Sequence, residues 1–229
     1  MNFNFEEGAV ILIDKPYEWT SFDVVKKIRN TIRVKKIGHA GTLDPLATGL
    51  LILCTGKMTK KINEYQDQEK EYIGELVLGK TTPSFDLETE VNQEYDISHI
   101  NEEMIREATQ KFVGVIQQIP PAFSAIKVGG ERVYKKARKG EEVELKSREV
   151  TISEFTITDI DLPTVKFRVK CSKGTYIRSL VRDFGVCLNT GAYMSSLTRT
   201  RIGNFDIKDS FQLEEFVSRY KKSNNESIS

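Results

Sequence analysis

The sequence predicts an α+β fold on a largely antiparallel mixed sheet flanked by helices, and two observations carry that expectation. Segments that alternate in polarity are interleaved with segments of helical spacing, without the strict strand–helix–strand repetition of a parallel sheet. No Pro-, Gly- or Ser-rich linker and no internal repeat divides the 229 residues, so one continuous domain over 1–229 is the simplest arrangement. Within it, 8–205 reads as the core and 221–229 as a frayed tail. With 39% hydrophobic and 29% charged residues, the chain can bury a packed core.

Val10 to Ile13 reads as a strand that stops at Asp14-Lys15-Pro16. Thr20 or Ser21 then caps a helix carrying Val25, Ile28 and Ile32 at helical spacing. Leu50 to Cys54 is a continuous apolar run of strand length, as expected for a strand buried on both faces. Met58 to Tyr65 reads as a short helix and Glu71 to Leu78, stopped by Gly79, as a strand. Ser98 or Asn101 opens a helix with Met104, Ile105, Ala108 and Phe112. Ala122 to Val128 is strand-like and turns at Gly129-Gly130, and Val133 to Lys139 is a short basic helix ended by Gly140. Val150 to Ile160 and Thr164 to Cys171 alternate as strands. Thr175 to Leu188 places Ile177, Leu180, Val181, Phe184 and Leu188 on one helical face. A last pair of elements runs from Met194 to Phe205 and from Leu213 to Tyr220.

Several function classes are excluded early. No apolar run could span a bilayer, and the acidic N-terminus does not have the form of a signal peptide. Cys54, Cys171 and Cys187 are widely spaced with no Cys-x-x-Cys, which points to a reducing, cytoplasmic setting rather than a disulfide or zinc framework. The net charge of +1 says little, but its distribution says more. Lys26, Lys27, Arg29, Arg33, Lys35 and Lys36 crowd one segment, Arg132, Lys135, Lys136, Arg138 and Lys139 another, and 86–107 is acidic. Separated basic runs can grip a polyanion, and equally can be solvated helix faces.

The most informative stretch is Gly38-His39-Ala40-Gly41-Thr42-Leu43-Asp44-Pro45-Leu46-Ala47-Thr48-Gly49-Leu50. Proline fixes its own φ and drives Asp44 away from helical φ/ψ, while the glycines admit close approach of other groups. A lone carboxylate thus sits on a stiff loop against a buried strand. A second block, Ser172-Lys173-Gly174-Thr175-Tyr176-Ile177-Arg178, ends a strand and begins a helix. Arg178 lies about 100° around that helix from Ile177, off the apolar face. By itself it reads as a surface arginine or as the partner of a carboxylate. Lys70-Glu71-Tyr72 opens a strand, where a tyrosine is ordinarily half-buried.

These blocks together resemble the pseudouridine synthases, in particular the TruB-type tRNA uridine-55 synthases. The resemblance implies the pseudouridine synthase fold with an RNA-clasping insertion, and it implies three catalytic residues. Asp44 is the nucleophile, Arg178 the guanidinium paired with it, and Tyr72 the ring that stacks on the target base and moves a proton late. Asp14-Lys15-Pro16 with Thr20-Ser21 is similar to the family's Lys-Pro-x-Gly-x-Thr-Ser, with Glu18 where glycine is usual. There Lys15 is read as supporting the tyrosine. The segments 119–127 and 134–140 resemble the part that folds over the tRNA T-arm. They place Lys127, Lys135, Lys136 and Arg138 with Tyr176, His39 and Lys15 in substrate binding. His39 would brace the loop or stack on displaced nucleotides. The chain departs from the pattern in Gly56-Lys57-Met58-Thr59-Lys60 and in Thr81-Thr82-Pro83-Ser84-Phe85-Asp86, which leaves Asp86 without an assigned role. Only the catalytic domain is expected, without a C-terminal PUA-type domain.

The reaction implied breaks the N1–C1′ bond of uridine and makes C5–C1′. No atom is gained and no electron transferred, so no cofactor or metal is expected. One carboxylate can suffice where glycosidases use two, because the leaving base is kept. Attack on the sugar, abstraction of a sugar proton and attack on the base all remain open, and the base must leave its stack to be reached. The expectation is therefore a cytoplasmic, monomeric isomerase acting on the tRNA T-arm stem-loop, with neither membrane nor obligatory protein partner. A non-catalytic RNA-binding or RNA-folding factor on the same scaffold, or a synthase for another uridine or RNA, is the alternative.

Overall fold

The computed structural model describes residues 3–124, 127–128, 131–133 and 145–221. In chain order the strands are β1 (Val10–Lys15), β2 (Ile37–Ala40), β3 (Thr48–Thr55), β4 (Lys70–Leu78), β5 (Lys80–Thr81), β6 (Gln93–Glu94), β7 (Gly114–Gln118), β8 (Lys127–Val128), β9 (Glu131–Arg132), β10 (Arg148–Asp161), β11 (Thr164–Cys171), β12 (Ala192–Ile202), β13 (Phe205–Asp206) and β14 (Phe211–Gln212). The helices used below are α1 (Ser21–Ile32), α2 (Ile62–Asp67), α3 (Glu102–Ala108), α4 (Ile177–Cys187) and α5 (Leu213–Tyr220). Where one domain was expected, the chain divides into two compact units, Met1–Glu71 with Thr198–Ser229, and Tyr72–Leu197. The unit boundaries fall inside β4 and β12.

In the first unit, β3 is the central strand. It pairs antiparallel with β1 and β2 and parallel with the end of β12, through Thr198↔Thr48 and Arg199↔Gly49. Leu51 and Leu53 join Ile11, Ile13, Val24, Ile28, Leu213 and Phe216 in one core, while Leu50, Ile52 and Cys54 join Ala40 and Ile202 in another. Burial on both faces is why this strand reads as an unbroken apolar run rather than an alternation. Thr20 closes α1 with a full capping box, accepting from Asp23 N–H while the Asp23 carboxylate accepts from Thr20 N–H.

The second unit carries β4, β11, β10 and β7 as neighbouring strands. The β10–β11 and β10–β7 pairs are antiparallel. Its core is aromatic: Phe155 packs edge-on against Phe167 at 5.9 Å and Phe184 at 5.4 Å between ring centroids. The mixed, mainly antiparallel pairing agrees with the expected fold class.

The sequence missed β7, because its alternation exposes Val115 and buries Gln118, the reverse of the usual polarity code. It also overextended Ala122 to Val128. Residues 122–124 are bends, and among the described residues of that stretch only β8 is strand. The Phe123 carbonyl is taken by an arginine side chain instead of a strand partner. The short basic helix expected over 133–139 and the tail after 221 lie outside the described residues, apart from Val133 and Lys221.

Candidate active site

Asp44 lies half-buried on the loop between β2 and β3, and the first unit clamps that loop at several backbone points. Ser21 Oγ accepts from Leu43 N–H at 2.9 Å and lies 3.1 Å from Leu43 O, so its hydroxyl serves both groups of the residue before Asp44. Glu18 N–H donates to Pro45 O at 2.9 Å, and Ala47 N–H to Asp44 O at 3.1 Å. Arg199, almost wholly buried, donates from Nε to Leu50 O at 2.8 Å and from Nη2 to Gly41 O at 3.2 Å. One guanidinium thus holds both stems of the loop. Gly49, at φ +105°, lets the Arg199 backbone pair closely beside it, since a Cβ there would stand 2.4 Å from Arg199 O.

Lys15 is fully buried, and its ammonium donates to Pro16 O at 2.9 Å, Trp19 O at 2.6 Å and Pro45 O at 3.2 Å. The sequence reading made Lys15 a support for Tyr72. All three of its donors meet carbonyls, and it braces the Asp44 loop through Pro45. Burial lowers its pKa from 10.5 to about 8, with the Asp44 charge opposing that shift and Arg199 adding to it. Glu18, standing where the resembled motif has glycine, takes φ +63°. The glycine-like turn is therefore kept at a backbone cost of about 1 kcal/mol, and its N–H still reaches Pro45 O. His39 sits on β2 opposite Leu53, half-buried. Burial holds its imidazole below the ordinary value, a backbone bond to Gly41 opposes this, and the Arg199 charge adds to it.

In the second unit, Arg178 lies in the first turn of α4 and is 3% exposed, which overturns the surface reading. The apolar face of a helix says nothing about what covers its other side. Here the 82–86 segment and residue 123 do so. Arg178 Nη1 donates to Ser84 O at 3.2 Å, Nη2 to Phe123 O at 2.9 Å, and Nε lies 3.5 Å from the Asp86 carboxylate. Asp86 is equally buried and also accepts from Glu88 N–H at 2.9 Å. The residue left without a role in the sequence is thus an ion-pair partner of the catalytic candidate. Thr82 and Ser84 hydroxyls both donate to Asp86 O, at 2.7 and 3.2 Å. Phe85, between Ser84 and Asp86, takes φ +65°, with Arg182 4.8 Å over its ring.

Tyr176, the N-cap of α4, has Arg148 4.4 Å over its ring and both backbone groups bound by the buried Gln118 side chain. Tyr72 lies on β4 and is 9% exposed. Lys127 is in β8, but its side chain, like Lys135, Lys136 and Arg138, lies outside the described residues. Among the described residues no cluster of three His, Cys, Asp or Glu could hold a metal, and no helix is long and apolar enough to cross a membrane. Gln118 and Arg199 were not found by sequence reasoning. A glutamine in an alternating strand and an arginine in a Thr-Arg-Thr-Arg run carry no local mark of burial.

The comparisons with known proteins define a class. A family profile described as the N-terminal domain of TruB family pseudouridylate synthase matches residues 29–177. A second, described as the tRNA pseudouridylate synthase B C-terminal domain, matches 178–228 and so begins inside α4. A tRNA pseudouridine synthase B from Phocaeicola vulgatus is 55% identical over 219 residues, covering 93% of both chains. One from Flavobacterium johnsoniae is 54% identical over 217 residues, covering 92% of this chain and 95% of that one. In three dimensions the crystal structure of a Cbf5-Nop10-Gar1 complex superposes with a TM-score of 0.75 at 30% identity, over 98% of this chain and 58% of that one. Fold and matched profiles together are those of a pseudouridylate synthase. The chain belongs to the TruB family.

Proposed function

We propose that this chain converts the T-loop uridine of tRNA, position 55, to pseudouridine, acting as a cytoplasmic monomer without a cofactor. The observation that carries the reading is the stiffened Asp44 loop in a chain 55% identical, over 93% of its length, to a protein named tRNA pseudouridine synthase B. A carboxylate intended to meet a sugar or base must not relax toward other partners. The backbone clamps on Leu43, Asp44 and Pro45 meet that requirement.

In this reading Asp44 is the essential carboxylate that starts N1–C1′ cleavage. The detached uracil turns in place, C5 bonds to C1′, and the C5 proton leaves as N1 gains one. Tyr72 offers a stacking face to the flipped base and a hydroxyl for the late proton movement. Arg178 supplies a permanent positive charge whose position is set by Ser84, Phe123 and Asp86. Lys127, Lys135, Lys136 and Arg138 contribute RNA contacts, and His39 braces the loop.

The test is modification mapping of tRNA with wild type and Asp44→Asn. Wild type should modify the T-loop uridine, and Asp44→Asn should form no pseudouridine while binding tRNA within a few fold of wild type. A clearly active Asp44→Asn would sink the assignment. Wild type that binds tRNA yet never modifies it would instead mark a binding factor on the same scaffold.

A further inference from the structure

Gln118 ends β7 with no exposed surface. A buried amide has to be satisfied at both its oxygen and its nitrogen. Gln118 Nε2 donates to Tyr176 O at 3.0 Å, and its Oε1 accepts from Tyr176 N–H at 2.8 Å. A single side chain therefore holds both backbone groups of one residue, as a neighbouring strand would. The same Tyr176 carbonyl accepts the first helical bond of α4, from Leu180 N–H at 3.1 Å. Tyr176 is the N-cap of that helix and has no side-chain cap bond of its own. Gln118 thus supplies the partner for the Tyr176 N–H, which the helix itself cannot satisfy, and a second donor to its carbonyl.

The residues after Gln118 continue the same attachment. Ile119 O accepts from Ser179 Oγ at 2.8 Å, and Phe123 O accepts from Arg178 Nη2 at 2.9 Å. Tyr176, Arg178 and Ser179 are thus each bonded to the 118–123 segment. Gln118 is the one among these contacts that supplies both a donor and an acceptor and that acts at the helix entry. We propose that Gln118 is a positioning residue for the reaction, setting the entry of α4 and, through it, the Tyr176 ring and the Arg178 guanidinium. The inference rests on the proposed activity for its kinetic consequence but not for its structural one. It assigns Gln118 no contact with substrate.

Two variants separate the hydrogen bonds from the volume. Gln118→Met keeps length and bulk and removes both bonds. Gln118→Glu as a carboxylate keeps the acceptor for Tyr176 N–H, but it loses the donor and turns a negative oxygen toward Tyr176 O. Protonated, it regains a donor, and burial raises the pH at which this happens. In single-turnover assays at saturating tRNA, Gln118→Met should be slower by about tenfold to a hundredfold, with tRNA Kd unchanged within a few fold. Gln118→Glu should recover toward the wild-type rate as pH falls from about 8 to about 6, relative to wild type at each pH. Hydrogen exchange at 176–180 should speed up in Gln118→Met and, at neutral pH, in Gln118→Glu.

A Gln118→Met protein with wild-type rate, or one whose slower rate comes with unchanged exchange at 176–180, overturns the proposal. If Gln118→Met fails to fold, a Gln118→Glu protein with no recovery at low pH overturns it. Should wild type prove inactive on tRNA, the functional reading fails, and the exchange at 176–180 still decides whether Gln118 sets the helix entry.

Discussion

Replacing Lys15 by methionine should separate what this buried ammonium does for the Asp44 loop from what it costs the fold. Its pKa lies at about 8 against an ordinary 10.5, a displacement that corresponds to about 3 kcal/mol against the charged form. The sign follows from the direction. A folded-state pKa below the unfolded one means that the unfolded chain holds more protons between pH 8 and 10.5. The contribution of Lys15 to stability therefore rises with pH across that window, and its unfavourable part is fully present below it. Gating of the loop runs the opposite way. The ammonium has three donors for the carbonyls of Pro16, Trp19 and Pro45, whereas the neutral amine has two. Deprotonation near pH 8 therefore gives up one carbonyl while the fold gains stability. Lys15→Met relieves the cost of the buried charge and strands the Pro16 and Trp19 carbonyls, at about 1–3 kcal/mol of desolvation each, while Pro45 O keeps Glu18 N–H. Its stability below pH 8 should therefore lie within about 3 kcal/mol of wild type, and its turnover should fall by about tenfold to a hundredfold through a loosened Asp44 loop. The assay is single-turnover pseudouridine formation across pH, with denaturant unfolding at the same pH values. Wild type should show an alkaline decline near pH 8 that Lys15→Met lacks. A Lys15→Met enzyme with the wild-type rate and profile would refute the reasoning.

Asp86→Asn should destabilise the second unit by about 3–5 kcal/mol, because it leaves the buried Arg178 with one charge fewer against it. Denaturant midpoints measure this, and an unchanged midpoint would show that the pair contributes nothing. Arg178→Lys keeps the charge but loses the planar fork that reaches Ser84 O, Phe123 O and Asp86 from three separate nitrogens. Its activity should fall by about a hundredfold, about 3 kcal/mol of transition-state stabilisation, and near-normal turnover would remove Arg178 from the machinery. An isolated T-arm stem-loop should have nearly the kcat/KM of whole tRNA. Its binding should weaken by about 0.7–0.9 log units per log unit of salt for each phosphate contact, with a flatter slope once Lys135, Lys136 and Arg138 are neutralised together. A preference for whole tRNA by orders of magnitude would contradict this.

Much of the fold was legible because local rules agreed with tertiary burial. The Thr20 cap, the doubly buried β3 and the alternation of β10 and β11 all follow from sequence periods. What failed was polarity used against type. Val115 faces solvent while Gln118, Lys15, Arg178 and Arg199 are buried, and a buried polar side chain is recognisable only from the partners that satisfy it. The Asp44, Tyr72 and Arg178 blocks stood out as motifs. The residues that hold them, including Asp86 in an altered motif, did not, since their partners lie far away in sequence: Gln118 and Tyr176 are 58 residues apart, Arg199 and Gly41 158.

The Arg199 fork has a consequence for the heat of binding. Because one buried guanidinium joins Gly41 O to Leu50 O, the eight residues between them are closed into a loop during folding and not when RNA arrives. The ordering entropy of the Asp44 loop is thus charged to the stability of the first unit, leaving the association with RNA free of that debt. Calorimetry of RNA binding would see a loop already shaped, and a variant lacking the fork would carry the missing entropy into its binding signature.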